Sequence, residues 1–243
     1  MIKKALAKFK RKLANAPKAD LVQILTEQLS GLEVTKQQIE FALQESSIED
    51  VEAFARALRK ASKPILIAAN KIDLKQAQEN FVRLQKLCAD VVPTSAEAEI
   101  TLKTAAEAGY IDYLPGNGFE LKEEFKEKLN EKQRKALEFL RGIIDKYGST
   151  GVQLALNKAV FELLGYIAVY PVADCNKLSD KDGRVLPDVF LVPAGTTVKE
   201  LAFQVHTELG ERFICGIDAR SKQKLSADHE LKHGDVVEIR FAK

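Results

Sequence analysis

Nowhere in the 243 residues does a lysine follow a glycine. That excludes the G-x-x-x-x-G-K-[ST] loop, whose backbone amides and lysine cradle nucleotide phosphates. Cysteine is scarce: Cys88, Cys175 and Cys215 lie far apart and are odd in number. They offer neither metal-ligand spacing nor a disulfide framework, and thiols buried or half-buried in a reducing cytoplasm are expected. No apolar stretch approaches the roughly 20 residues that cross a bilayer. The first eighteen residues carry seven Lys or Arg and no acid, yet they lack the apolar centre of a secretory signal and the Ser/Arg richness of a transit peptide. Charge of one sign is missing too. A net charge of +2 gives a whole-chain field that does not announce nucleic acid. There is no Ser/His/Asp set, no carboxylate pair with defensible geometry, no internal repeat and no low-complexity tract. No catalytic residue and no metal ligand is therefore expected.

What remains is an ordinary globular composition, 46% hydrophobic and 30% charged, long enough for one large domain or two small ones. Residues 1–62 read as a helical segment. Leu6, Phe9 and Leu13 share a helical face among lysines, which fits a solvated amphipathic helix, a nucleic-acid- or ribosome-facing patch, or a face that once packed on upstream sequence. Leu21, Ile24, Leu25, Leu29 and Leu32 keep helical spacing up to Ser30-Gly31. A second helix is expected over 35–44. A third is expected to be capped at Ser46-Ser47, with Glu49 in its first turn and Val51, Phe54, Ala55 and Leu58 inward.

Over 63–165 the texture alternates. Pro64–Ala69 is a short apolar run whose length and flanking proline favour a strand. A helix over 75–89 places Phe81, Leu84, Leu87 and Cys88 inward, and Asp90–Pro93 is a second strand. That succession is the βαβ unit of a parallel sheet. A long charged helix over 121–146 carries Phe125, Leu129, Ala136, Leu140, Ile143 and Ile144. Gly148 stops it, and Ser149-Thr150 caps a second helix of an αα-hairpin ending at Gly165. Over 166–243 β-rich runs (166–173, 188–192, 212–218, 236–241) surround one helix opened by the capping box Thr197-x-x-Glu200. The result is a small mixed sheet wrapped on a helix.

Directly after the first strand comes Asn70-Lys71-Ile72-Asp73. An Asp carboxylate at a strand end can accept hydrogen bonds from the N1–H and the exocyclic N2 amine of guanine. Adenine offers no such donor pair, so one acid can separate GTP from ATP. The plain alternative for Asp73 is an acid at a helix N-terminus. Thr94-Ser95-Ala96-Glu97, about twenty residues on, tips the reading towards a base pocket.

Asn70–Asp73 with Thr94–Glu97 resembles the fourth and fifth guanine motifs of Ras-like GTPases. The resemblance implies that the Ala96 N–H bonds guanine O6, that Ser95 and Glu97 hold the loop, that the Lys71 stem packs along the base, and that Asn70 ties this loop to the phosphate loop. Leu186–Val198, Leu201–His206, Ile217–Arg220 and Leu231–Ile239 look like a TGS domain, a β-grasp, ubiquitin-like module. Together the chain resembles archaeal YchF-type, Obg-family GTP-binding proteins. Bacterial and eukaryotic YchF proteins vary the fourth motif and prefer ATP, whereas Asp73 here favours guanine.

The implied fold is α/β: an incomplete P-loop GTPase-like parallel sheet with a helical insertion, then the β-grasp domain. The implied ligand is GTP or GDP, contacted by Asn70, Lys71, Asp73, Ser95 and Ala96. Mg²⁺ is implied only for a complete family member. Two D-x-x-G matches, at 145–148 and 180–183, lie downstream of the base motif and read as punctuation. The chain is therefore expected to be a truncated or split family member that binds nucleotide weakly, with Asn70 lacking its partner and the pocket loose, and that does not hydrolyse GTP alone. The expected partners are guanine nucleotide and, through the TGS domain and the basic N-terminal helix, the ribosome or RNA. No membrane is expected, and the location is the cytoplasm. The alternative is a nucleotide-independent RNA- or protein-binding module. His206 is expected at a core edge, His229 and His233 in exposed turns, Asp188 in a structural turn, and Arg212, Arg220, Lys222 and Lys224 in a basic cluster.

Overall fold

The structure, a computed structural model, describes residues 18–32 and 34–242. The expected helix face of Leu6, Phe9 and Leu13 lies outside the described residues. The chain divides into two compact units, of which the second comprises Ala68–Arg83 and Val92–Lys243.

In the first unit, α1 (Lys18–Leu29) passes through a 3₁₀ turn at Ser30–Leu32 to α2 (Lys36–Glu45) and α3 (Val51–Ser62). Leu21, Leu25, Leu29, Ile39, Ala42, Phe54 and Leu58 form its apolar core. Helix α2 starts as its local chemistry demands. The Thr35 hydroxyl accepts from Gln38 N while the Gln38 side chain accepts from Thr35 N, a reciprocal capping box. The expected cap of α3 was misplaced. Asp50 is the N-cap, with Oδ1 accepting from Glu52 N and Ala53 N, while the Ser47 hydroxyl serves the preceding turn. An aspartate one residue before the helix outcompetes serines further out.

Strand β1 (Ile67–Ala69), helix α4 (Lys75–Leu87) and strand β2 (Val91–Pro93) follow in order. Strands β1 and β2 pair, with Ile67 N donating to Asp90 O and Thr94 N donating to Ala69 O. The bonds advance along both strands together, as parallel pairing requires. The ladder is shorter than the apolar run: Ile65 is largely exposed and outside it, and Leu87, expected inward, is exposed as well.

Helix α5 (Ala96–Glu107) leads to the hairpin of β3 (Ile111–Tyr113) and β4 (Phe119–Leu121), paired antiparallel from Ile111–Leu121 to Tyr113–Phe119. This hairpin corrects the long helix expected from 121. Leu121 is a strand residue, and Phe125 closes a 3₁₀ turn with its ring edge-on to Tyr110. Helix α6 begins only at Glu131 and runs to Tyr147, behind an Asn130–Gln133 capping box. Its Leu140 and Ile143 pack with Ala98, Leu102, Ile111 and Phe119. Gly148 ends α6 in the left-handed conformation at φ 81°. The next helix, α7 (Val152–Asn157), is preceded not by a Ser149-Thr150 cap but by Gly151 at φ 78°. It continues as a π-helical turn, Lys158–Leu163.

The last part is a five-stranded mixed sheet in the order β6-β5-β9-β7-β8. Its strands are β5 (Tyr166–Val172), β6 (Phe190–Pro193), β7 (Phe213–Asp218), β8 (Lys224–Leu225) and β9 (Val236–Phe241). Strands β5 and β9 run parallel and the other neighbours antiparallel. Helix α8 (Val198–Val205) lays Val198 and Leu201 onto Val169, Val192, Leu231 and Val237. The Thr197–Glu200 capping box opens it as expected. A short α9 (Thr207–Glu211) and β8 were not anticipated. This is the β-grasp arrangement.

Candidate functional site

The site grows from the ends of two parallel strands. Ile72 is buried and donates its N–H to Thr94 O (3.0 Å), which seats the loop after β1 against the loop after β2. Around that anchor the side chains turn outward. Asn70, Lys71 and Ala96 are exposed, Asp73 is half-buried and Ser95 is fully buried. The Ser95 hydroxyl donates to Asp73 Oδ1 at 2.7 Å. Among the described residues nothing bonds Asp73 Oδ2, so the carboxylate keeps a free face. Lys71 adopts φ 65°, a left-handed conformation rare for a residue with a side chain. Such outliers persist where surrounding bonds hold them. Here Leu74 N donates to Lys71 O, and Lys71 N donates to Asn70 Oδ1 at 2.8 Å.

The structure thus brings together all five expected residues, with one correction. Asn70 was expected to want a partner and leave the loop slack. Instead its Oδ1 accepts from both Lys71 N and Ala96 N, the latter at 3.1 Å. The amide carbonyl has two lone pairs, and the local backbone supplies donors for both. The Ala96 N–H is therefore already engaged.

Behind the loop lies a polar interior that the sequence reading missed. Ser95 caps α5 by accepting from Ala98 N, and its own N–H donates to Thr150 O at 2.8 Å. The Thr150 hydroxyl donates to Glu99 Oε2, which also accepts from the Tyr113 hydroxyl at 2.7 Å. Lys103 stands 3.7 Å from the other oxygen of Glu99. Burial together with the Glu99 bond pushes the Tyr113 hydroxyl pKa up to about 12. Gly151 lets the α6–α7 turn lie against the end of β2: a Cβ there would sit 1.8 Å from Pro93 O. One signal could have revealed Glu99. It is an acid beside Ala98 and Leu102, on the inward side of α5.

Residues proposed elsewhere resolve as structure. His206 caps α9 through Nδ1, accepting from Glu208 N at 3.2 Å, which corrects the core-edge reading. His233 is exposed yet anchored, its Nδ1 accepting from Ala168 N and its ring edge-on to Phe161. Three of the four residues of the basic cluster are engaged by their own domain: Arg212 pairs with Glu208, Arg220 donates to Gly234 O, and Lys222 donates to Cys175 O. The D-x-x-G matches are the helix end at Gly148 and a turn in which Gly183 N donates to Asp180 O. Among the described residues no group of three His, Cys, Asp or Glu could hold a metal ion, and no helix is long and apolar enough to cross a membrane.

A strand-end Asn-Lys-x-Asp loop bonded to a Ser-Ala turn, with a β-grasp module behind it, places the chain: it belongs to the Obg-like GTPase family. Residues 68–174 match the G4 motif-containing domain of the YGR210-like Obg-like GTPases, and residues 179–240 match the TGS domain. The chain is 49% identical over 229 residues to the uncharacterized GTP-binding protein MJ1332 of Methanocaldococcus jannaschii, covering 90% of this chain and 58% of that protein. It also resembles the crystal structure of a GTP binding protein from Pyrococcus horikoshii OT3, with TM-score 0.67, 37% identity, and coverage of 99% of this chain and 67% of that one. The chain therefore spans about 58% of the curated relative's length.

Proposed function

We propose that Asn70, Lys71, Asp73, Ser95 and Ala96 form the base-reading half of a guanine-nucleotide site, and that this stretch of chain binds GTP or GDP without hydrolysing it. The observation that carries this is the 2.7 Å bond from the Ser95 hydroxyl to Asp73 Oδ1. It fixes the carboxylate so that both oxygens can take the paired donors of guanine, and it leaves lone pairs for them. Both related proteins are described as GTP-binding. Adenine presents an acceptor where guanine presents N1–H, so the same carboxylate repels it.

Two features set the strength. The 243 residues contain no Gly-Lys pair to grip phosphate, and charge-assisted bonds to phosphate are the strong ones. For guanine O6 to use the Ala96 N–H, the base must also displace the Asn70 carbonyl, exchanging one hydrogen bond for another. Affinity on the order of a millimolar dissociation constant, about 4 kcal/mol, is expected for this chain. Mg²⁺ belongs to this reading only for a complete family member; among the described residues no group of three His, Cys, Asp or Glu could hold a metal ion. Ribosome or RNA association through the TGS domain, and a cytoplasmic location, remain parts of the same proposal, and both rest on the family.

Calorimetric titration with GDP and GTP, with ATP as control, tests the reading. Guanine-specific heat that vanishes in Asp73→Ala is expected. Equal binding of ATP, or guanine binding indifferent to Asp73→Ala, would overturn it.

A further inference from the structure

Polar groups are buried in this molecule at few places. Of the eight buried polar or charged residues among the described ones, five (Thr94, Ser95, Glu99, Ser149 and Thr150) gather directly behind the base loop. Buried polar side chains carry a desolvation cost and gain from one another only when fully bonded, and none here is left without a partner among the described residues. The network leads outward to one atom. Tyr113 and Thr150 both donate to Glu99 Oε2, and the Thr150 carbonyl takes the Ser95 N–H. Ser95 in turn hands its hydroxyl hydrogen to Asp73. Gly151, with no room for a Cβ against Pro93 O, keeps Thr150 close enough to do this.

We infer that Thr150, held by Glu99 and Tyr113, is a positioning residue for base discrimination: it fixes the main chain of Ser95, so that the Ser95 hydroxyl orients the Asp73 carboxylate. This rests on the base-site reading above and deepens it. The specificity of the pocket is set by a residue on the α6–α7 turn, remote in sequence from both loops and touching no base. A shape-filling role for Thr150 makes a different prediction, because valine fills the same volume while removing the hydroxyl that holds Glu99.

The test uses the full chain and compares GDP with inosine diphosphate, which lacks only the N2 amine. The ratio of the two affinities reports how well Asp73 is aimed, and overall folding does not move it. Thr150→Val is expected to lower the GDP-over-inosine preference by about 5- to 10-fold, the scale of one ordinary hydrogen bond, while Thr150→Ser keeps the wild-type ratio. Should Thr150→Val fail to fold, Tyr113→Phe removes one donor to Glu99 and should shift the ratio the same way by about 2-fold. An unchanged ratio in folded Thr150→Val, or in Tyr113→Phe where that variant stands in for it, overturns the positioning role and leaves the base site standing. Absence of any GDP preference in the wild-type chain overturns both.

Discussion

The base-loop region and the β-grasp domain differ in how their buried polar groups are arranged: linked into one chain in the first, scattered in the second. Around the base loop the apolar core of Leu102 and Ile111 is joined by buried Ser95, Glu99 and Thr150, bonded into a chain that ends on Asp73. In the β-grasp domain the core is Val169, Val192, Val198, Leu201, Leu231 and Val237, and its buried polar residues, Ser179, Thr196 and Glu238, are separate, Glu238 accepting from Cys175 N. Apolar packing tolerates small shifts and stabilises in proportion to area. A bonded polar interior fixes orientation and loses much when one member goes. The first suits a scaffold, and the second suits a region that, on the proposed reading, aims a carboxylate.

Substitutions can break this comparison from either side. The largest effect is expected at Gly151, where both the positive φ and the contact with Pro93 O forbid a side chain. Gly151→Ala should cost about 3–5 kcal/mol, read as a fall in thermal midpoint, and should weaken whatever guanine preference the chain has. Leu201→Ala opens a cavity in the β-grasp core and should cost about 2–4 kcal/mol. In calorimetry below its melting range it should leave the GDP-over-inosine ratio unchanged. If the ratio falls there too, the two interiors are not independent.

A smaller contrast is in pH. Tyr113 has a folded pKa of about 12 against 10.0 for the free group, raised by burial and by Glu99. A raised value means that the folded state holds its proton longer. Its contribution is fully present below 10.0 and is lost as pH rises towards about 12. Denaturant titrations should show wild type losing more stability over that window than Tyr113→Phe. On the acid side the depressed carboxylates lie in the C-terminal part. Asp174 is held down by the Asn176 and Lys177 amides, and Asp218 by the Ser221 amide against its own burial. Glu200 is held down by the Thr197 amide. Their stabilisation is present above the ordinary carboxylate range and fades as pH falls through it. Acid should therefore weaken the turns and the helix cap that these carboxylates hold in the β-grasp domain, which residue-resolved NMR can follow.

Much of this was legible because the signals are local. The capping box at Thr197 needs only four residues, and Asp73 and Ser95 announce themselves by motif. The β3–β4 hairpin was not legible, because a three-residue strand has no readable period and Phe125 and Leu129 happen to continue the helical spacing of α6. The Asp50 cap was hidden by Ser46 and Ser47, four and three residues earlier, which offer the same capping chemistry. Thr150 and Gly151 were invisible as site residues because their partners, Glu99 and Pro93, are distant in sequence. Glu99 itself reads as a solvated helix acid until the fold buries it.

The most direct measurement is a base swap at the carboxylate. Wild-type chain and Asp73→Asn are titrated by calorimetry with GDP and with xanthosine diphosphate, in which an acceptor oxygen replaces the N2 amine. An Asp73 that reads guanine through its two donors predicts that wild type prefers GDP and Asp73→Asn prefers the xanthine nucleotide. Equal affinities in wild type, or the same preference in both proteins, would contradict it.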